Sequence, residues 1–155
     1  MIAGHERTLL AAQGYTELQM FDDALAELDG LPPEPASDAS TLELRATILM
    51  QAKRWPEALT ASRSLCEQHP EKSVGFIHLA FCLHELGQPL AARDALLGGP
   101  PSLHSEPTFH YNLACYECAL GNLELARMHL EKSFELDKKY RDFAKTDPDL
   151  TPLRK

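Results

Sequence analysis

The stretch YNLACYECALGNLELARMHLEKSFELD, residues 111–137, carries two alanines, Ala114 and Ala126, that are 12 residues apart. Both alanines recur upstream at intervals of 34 residues. The first column is Ala12, Ala46, Ala80 and Ala114, and the second is Ala24, Ala58, Ala92 and Ala126. Helices that are merely rich in alanine would not keep one phase over four copies, so the columns indicate an internal repeat.

Each copy of the repeat divides into two predicted helices that are joined by a short turn. The first helices are predicted to end near Leu18, Ala52, Leu86 and Leu120, and the second helices to begin at Phe21, Trp55, Pro89 and Leu123. Gly87 and Gly121 suit the left-handed residue that ends many helices. The alanine columns give one small side chain to each helix, which lets paired helices approach closely. The chain therefore predicts four stacked helix–turn–helix units.

This pattern resembles the tetratricopeptide repeat (TPR) family, which has the same 34-residue period and the same two small positions. Residues 111–137 and residues 76–97, FIHLAFCLHELGQPLAARDALL, carry the resemblance most clearly. The resemblance implies an all-α fold, a right-handed superhelical α-solenoid of four helix–turn–helix repeats. We place the repeats at 5–38, 39–72, 73–106 and 107–137, a C-terminal capping helix at 138–146 and a tail at 147–155, all in one domain.

One face of each first helix is not needed for packing between repeats, because its positions lie opposite the alanine column on the helix. In the TPR family the equivalent face lines a concave groove that binds peptides. The predicted groove residues are Leu9, Gln13, Glu43, Thr47, Met50, Ile77, Phe81, His84, Tyr111, Asn112, Cys115 and Cys118. This face is polar in the N-terminal half and apolar and aromatic in the C-terminal half, as contact surfaces often are.

The resemblance and the apolar half of the face predict a protein–protein interaction module, an adaptor or scaffold. It would bind an apolar peptide or helix of a partner, mainly at Ile77, Phe81 and Tyr111. Two other occupants of the face stay open: the chain's own tail, and a second copy of the chain in a homo-oligomer. An alternative function is that of a type III secretion chaperone of the translocator class, which also holds apolar client segments in a TPR groove.

A clamp for a C-terminal carboxylate is not expected, although some TPR proteins have one. Such clamps use lysine, arginine and asparagine at set groove positions. The matching positions here are Leu9, Gln13, Leu44, Val74 and His78. None of them supplies a permanent cation.

The pair Cys115-x-x-Cys118 raises the alternative of a metal-binding protein. With His84 on the preceding first helix, the pair would supply three nitrogen and sulfur ligands for zinc and leave one position open. However, the chain has no second Cys-x-x-Cys pair, and cysteine also serves as a small apolar residue on crowded helix faces. The favoured prediction is therefore that the protein has no metal and no other cofactor.

Composition narrows the class of protein further. The 155 residues carry a net charge of −8, which argues against partners such as nucleic acid or anionic membrane. No apolar run reaches the roughly 18 residues of a membrane span, and the N-terminal stretch MIAGHERTLL is unlike a signal peptide. No nucleophile–base constellation or phosphate-binding loop is present. We therefore expect a cytoplasmic protein that is not an enzyme.

Two residues depart from the repeat pattern. Arg45 and Glu117 occupy positions that are normally apolar. A buried unpaired charge would cost several kcal/mol of stability. We therefore expect Glu117 near an exposed end of the stack, paired with Arg127 or Arg141.

Overall fold

The computed structural model describes residues 4–154, which form helices joined by short turns and contain no strand. The α-helices are α1 Gly4–Glu17, α2 Phe21–Asp29, α3 Pro33–Ala36, α4 Ala39–Gln51, α5 Trp55–Gln68, α6 Ser73–Glu85, α7 Pro89–Leu97, α8 Pro107–Ala119, α9 Leu123–Leu136 and α10 Lys139–Thr146. Two 3₁₀ helices span Pro101–Ser105 and Pro148–Arg154. Residues 1–3 of the N-terminal stretch and residue 155 of the predicted tail lie outside the described residues.

The chain divides into two compact units, and the division falls within α6. The N-terminal unit extends to His78 and holds α1–α5 and the start of α6. The C-terminal unit begins at Leu79 and holds the rest of α6, α7–α10 and both 3₁₀ helices. In the first unit α1 packs on α2 and α4 on α5; in the second, α8 packs on α7 and α9.

The second helices begin at the four predicted residues, and the turns before them share one backbone geometry. Their left-handed residues, 34 positions apart, are Gln19 (φ 60°), Lys53 (φ 58°), Gly87 (φ 78°) and Gly121 (φ 83°). After each left-handed residue, the next N–H donates to a carbonyl five residues back, over 2.8–2.9 Å. This six-residue closure is the C-terminal motif that glycine favours. The same turn forms at Gln19 and Lys53 without glycine. The position in the repeat, and not the presence of glycine, therefore determines this backbone conformation.

The two alanine columns lie at the centres of the units, as the sequence predicts. All eight alanines are 0% exposed. Their neighbours in the core are mostly leucines, such as Leu28, Leu49, Leu65 and Leu96, which are also buried. A larger side chain at an alanine position would have to displace a packed helix, because protein interiors leave few voids.

The two residues that depart from the repeat pattern both find charged partners. Arg45 donates to Asp29 over 2.9 Å at the surface of the N-terminal unit. Glu117 is only 2% exposed, and its Oε1 lies 3.4 Å from Arg93 Nη1 and 3.4 Å from Asn122 Nδ2. The prediction of an exposed Glu117 with Arg127 or Arg141 is therefore wrong. Arg93 on the adjacent α7 supplies the charge instead.

The C-terminal end of the chain is ordered into helices and packs on the rest of its unit. Helix α10 contacts α9, and the 3₁₀ helix Pro148–Arg154 contacts both α8 and α9. Leu150 in this 3₁₀ helix is 1% exposed. The segment that the sequence treats as a tail thus contributes a core residue to the C-terminal unit.

Candidate functional site

In the N-terminal unit, the predicted groove face forms an open cleft between α1 and α4 with a volume of ≈ 460 Å³. The cleft is lined by Gln13, Thr16, Glu17, Ser40, Glu43, Leu44, Thr47 and Gln51. Of the predicted site residues, Gln13, Glu43 and Thr47 therefore share one concave surface. Leu9 and Met50 are partly buried and are not part of that lining.

The chemistry of this N-terminal cleft is polar and acidic. Hydroxyl and amide groups dominate the lining, and Glu17 and Glu43 add two carboxylates. Neither carboxylate forms an ion pair within residues 4–154. The cleft can therefore offer hydrogen-bond acceptors and negative charge to a ligand.

Three predicted site residues lie on α6, where the two units divide. Ile77 belongs to the N-terminal unit and is partly buried. Phe81 and His84 belong to the C-terminal unit, with ring centroids 6.5 Å apart. The His84 ring also lies 5.1 Å from the ring of Tyr116 on α8.

The C-terminal half of the predicted groove is covered. Tyr111, Cys115 and Cys118, predicted as an open surface, are 7%, 5% and 5% exposed. The 3₁₀ helix Pro148–Arg154 packs on α8 and buries Leu150 there. These three side chains do not line an open groove in this structure, because the chain's own C-terminal segment, one of the alternative occupants, lies on α8.

Two hydrogen bonds tie this C-terminal segment to the predicted groove residues. The Tyr111 hydroxyl donates to Asp147 Oδ2 over 2.6 Å. The His84 Nε2 lies 3.0 Å from Asp149 Oδ2. Burial, with the hydrogen bond to Asp147, raises the pKa of the Tyr111 phenol. Tyr111 therefore remains a proton donor to Asp147 at any physiological pH.

The electrostatic environment of the cysteine pair is the opposite of that around a reactive or redox-active cysteine. Burial and the nearby carboxylates of Asp147 and Asp149 raise the pKa of the Cys115 thiol. Burial likewise raises the pKa of the Cys118 thiol. Reactive cysteines need a lowered pKa and access to solvent. In this structure neither thiol has a lowered pKa, and neither is accessible to solvent.

Beside the covered region, an aromatic pocket of ≈ 390 Å³ remains open in the C-terminal unit. Its lining is Tyr111, Asn112, Tyr140, Phe143, Thr146, Asp147 and Pro148. The ring centroids of Tyr111 and Tyr140 are 5.1 Å apart, and those of Tyr140 and Phe143 are 5.9 Å apart. Phe143 is 60% exposed. The predicted residues Tyr111 and Asn112, both on α8, form one wall of this pocket.

The potential metal ligands are grouped differently from the sequence-based set of His84, Cys115 and Cys118. In the part of the chain that the structure describes, the ligand atoms of Cys115, Asp147 and Asp149 all lie within 4.8 Å of one another. Cys118 is not in this group, and His84 joins it only through its contact with Asp149. The two aspartates come from the segment that the sequence analysis leaves as a tail.

The sequence analysis missed five residues of these sites. Tyr140 and Phe143 lie in the predicted capping helix 138–146, yet Phe143 points largely to solvent. Asp147, Asp149 and Leu150 were left without a role. A leucine two residues after Asp147-Pro148, within an otherwise polar segment, was the available signal that this end of the chain packs back.

No protein-family model and no curated protein matches the chain. Solved structures do match. MamA from Desulfovibrio magneticus RS-1 (residues 41 to the end) superimposes with a TM-score of 0.73 at 16% identity, over 90% of this chain and 81% of that one. A MamA double mutant from strain RS-1 gives 0.74 at 16% identity, over 99% and 91%. YrrB, described as "a TPR protein with an unusual peptide-binding site", gives 0.66 at 15% identity, over 94% and 80%.

These likenesses confirm the predicted fold class: the chain has the all-α TPR fold, a solenoid of helix–turn–helix repeats. At 15–16% identity these likenesses show the fold alone. Between residues 4 and 154, no helix combines the length and the apolar character needed to cross a membrane.

Proposed function

We propose that the chain is a protein-interaction module that binds an apolar side chain of a partner peptide or helix in the aromatic pocket of the C-terminal unit. The observation that carries this proposal is the exposure of Phe143. Its ring is 60% exposed at the rim of a concave surface that continues through Tyr140 to Tyr111. Exposed aromatic surface around a concavity is typical of contact sites.

The lining of the pocket suits a peptide. Three aromatic rings supply apolar area for an anchor side chain, and such pockets hold the residues that dominate binding energy. Asn112 and Thr146 line the same pocket. Their amide and hydroxyl groups can donate to and accept from the backbone of a bound segment. An apolar anchor flanked by backbone hydrogen bonds is therefore the ligand chemistry that we assign to the site.

The proposal keeps the predicted ligand but moves the anchor along the chain. The sequence predicted contacts mainly at Ile77, Phe81 and Tyr111, whereas the exposed aromatic surface is at Phe143, beside the half-buried Tyr140. The likeness to YrrB, a TPR protein described as having a peptide-binding site, supports peptide binding by this fold. The acidic cleft of the N-terminal unit would suit a polar, basic ligand.

The test begins with a random-peptide display selection against the immobilised full chain. The dissociation constants of the selected peptides are then measured for wild type, Phe143→Ala and Leu97→Ala. Leu97 is a matched control, because it is 55% exposed in the same unit but is not part of the pocket lining. Loss of a central aromatic anchor typically costs 2 kcal/mol or more, which is about a 30-fold weaker affinity.

The proposal predicts that Phe143→Ala weakens binding by about that factor while Leu97→Ala leaves the affinity unchanged. Selected peptides that bind both variants equally well would overturn it. Concentration-dependent elution of the wild-type chain, lost in Phe143→Ala, would identify a second copy as the occupant of the pocket. Capture of an extended apolar segment from a secreted client would instead favour the chaperone role.

A further inference from the structure

A group of side chains at the contact between α8 and the C-terminal segment has the composition of a metal site. Cys115 lies on α8, Asp147 follows α10, and Asp149 lies in the 3₁₀ helix Pro148–Arg154. One sulfur atom and two carboxylate oxygens, one from each residue, are all within 4.8 Å of one another. The three residues come from separate elements that only the folded chain brings together.

The thiol in this group is buried without a partner. Cys115 is 5% exposed, and its Sγ makes no hydrogen bond within the described residues. Both neighbouring groups are carboxylates, so the thiol lies beside negative charge. Neither Asp147 nor Asp149 forms an ion pair with a lysine or arginine between residues 4 and 154.

The nearest arginine of the segment does not neutralise these carboxylates. Arg154 donates to the backbone carbonyls of Ala144 and Asp147 and to the hydroxyl of Thr151. The group therefore combines two carboxylates and a thiol in a partly buried place. A bound cation would offset the negative charge of these carboxylates, because a metal ion is often the largest local charge in its site.

Both carboxylates are already held in place by outer hydrogen bonds. Asp147 accepts from the Tyr111 hydroxyl over 2.6 Å and from the backbone N–H of Asp149 over 2.9 Å. Asp149 contacts His84 Nε2 at 3.0 Å. Hydrogen bonds from a second layer of residues orient the carboxylate ligands of metal sites in this way.

We propose that Cys115 Sγ and the carboxylates of Asp147 and Asp149 bind one divalent transition-metal ion of the zinc class. Water completes the coordination, and His84 and Tyr111 orient the ligands from outside. A thiolate with carboxylates suits zinc or cobalt, whereas calcium and magnesium take oxygen ligands. Sulfur and oxygen atoms bound to one tetrahedral zinc lie roughly 3.5 Å apart. The three ligand atoms, all within 4.8 Å of one another, are close enough for small side-chain movements to reach that geometry.

Binding of the metal ion releases one proton. The Cys115 thiol releases its proton to solvent as the metal–sulfur bond forms, because only the thiolate is a ligand. Since Cys115 belongs to α8 and both aspartates belong to the C-terminal segment, the ion fastens that segment onto α8. The metal site shares Asp147 and Tyr111 with the lining of the aromatic pocket but does not include the anchor Phe143. Cobalt binding therefore tests the metal site, and Phe143→Ala tests the peptide anchor.

The probe is cobalt(II), added to the full chain without a histidine tag and followed by optical absorption. The expected result is a sulfur-to-cobalt charge-transfer band that saturates at one equivalent and disappears when zinc is added. Cys115→Ser should remove the band. Cys66→Ser is the matched control, because Cys66 is also a free, buried thiol but lies in the N-terminal unit. This control should leave the band unchanged.

Two further variants test the geometry if Cys115→Ser does not fold. Tyr111→Phe removes only the outer hydrogen bond and should weaken cobalt affinity by about 10–100-fold. Asp149→Asn, at an exposed position, should weaken it by at least about tenfold through loss of a charged ligand. The absence of a charge-transfer band in wild type would overturn the proposal. So would a band that survives Cys115→Ser, or an affinity that neither of the other variants changes.

Discussion

The first-helix face is an open cleft in the N-terminal unit and a covered surface in the C-terminal unit. Between α1 and α4 the face is polar and accessible, with Glu43 and Thr47 in its lining. On α8 the equivalent residues Tyr111 and Cys115 lie under the chain's own end. The repeat pattern thus determines which face of the helix carries a given side chain. The residue types on that face determine whether it stays exposed to solvent.

This difference follows from the hydrophobic effect. The face of α8 offers tyrosine and cysteine, and burying such surface is favourable by about 25 cal/mol per Å². The face of α4 offers glutamate and threonine, whose burial without partners would be unfavourable. The segment that follows the last repeat therefore packs on the C-terminal face through Leu150. The aromatic pocket beside this segment stays open.

The largest effect that separates the two units is expected from Leu150→Ala. Leu150 is buried against its unit, so its truncation should cost about 2–5 kcal/mol in the C-terminal unit. Release of the segment should also expose Cys115 and Cys118. The measurement is the rate of thiol labelling, read by mass spectrometry, together with unfolding in urea.

The control for Leu150→Ala is Leu136→Ala, an exposed leucine on α9 of the same unit. It should change neither stability nor labelling. Cys66 of the N-terminal unit serves as an internal reference, and its labelling rate should stay the same in both variants. Equal protection of Cys115 in wild type and Leu150→Ala would show that the C-terminal segment does not cover α8.

The next effect concerns a buried repeat position that holds leucine at Leu49 and Leu83 but a charge at Glu117. Leu49 lies in the N-terminal unit, and Leu83 and Glu117 lie in the C-terminal unit. Arg93→Ala removes the partner of a buried carboxylate and should cost about 1–3 kcal/mol in urea unfolding. The double variant Glu117→Leu/Arg93→Met should recover at least the wild-type stability, because apolar residues often replace a buried ion pair without loss.

A double variant that is less stable than Arg93→Ala would contradict this account. It would mean that Glu117 has a further role beyond its contacts with Arg93 and Asn122. Mutant free energies should be compared in the C-terminal unit alone, since Leu49 and its neighbours belong to the other unit. Unfolding followed by Trp55 fluorescence reports on the N-terminal unit and should not change.

Sequence reasoning could predict the fold because each repeat carries the same packing signal. The alanines are 0% exposed in all four copies, and a phase kept over four copies leaves one arrangement of helices. The starts of the second helices at Phe21, Trp55, Pro89 and Leu123 follow from the same register. Local patterns were sufficient because helix pairing in a solenoid is local.

The candidate site could be predicted only in part, because what covers a helix face is not encoded in the period of that face. The direction of Tyr111 and Cys115 followed from phase, but their burial depends on Leu150, which lies about 35 residues further along the chain. Glu117 had obvious partners in Arg127 of its own repeat and Arg141 of the predicted capping helix. The actual partner, Arg93, is set by packing between α7 and α8.

A smaller effect on stability is expected in the turns, where the two units place different residues in the same left-handed backbone conformation. The left-handed residue is Lys53 in the N-terminal unit and Gly121 in the C-terminal unit. Gly121→Lys should cost about 1–2 kcal/mol, because a side chain disfavours the left-handed conformation. Lys53→Gly should stabilise its unit by less than that, since glycine also makes the unfolded chain more flexible.

Paired thermal or urea unfolding of the two turn variants provides the measurement. An open space surrounds the added Cβ at residue 121, so a loss of stability there reflects backbone conformation and not a clash. Equal and opposite changes in the two variants would show that folded-state strain accounts for the whole effect. Destabilisation by both variants would show instead that Lys53 has side-chain contacts that outweigh the strain.

The smallest effect is expected at the other charged departure from the repeat. Arg45 pairs with Asp29 over 2.9 Å, but Asp29 is largely exposed to solvent. Such pairs contribute about 0–1 kcal/mol, and salt screens them. A double-mutant cycle with Arg45→Ala and Asp29→Ala should therefore give a small coupling energy that disappears in high salt. Because Arg93 and Glu117 have the same charges but a buried carboxylate, their coupling should be larger and persist in salt. If the two cycles give equal couplings, burial does not distinguish the two pairs, and the cost expected for Arg93→Ala must be revised downward.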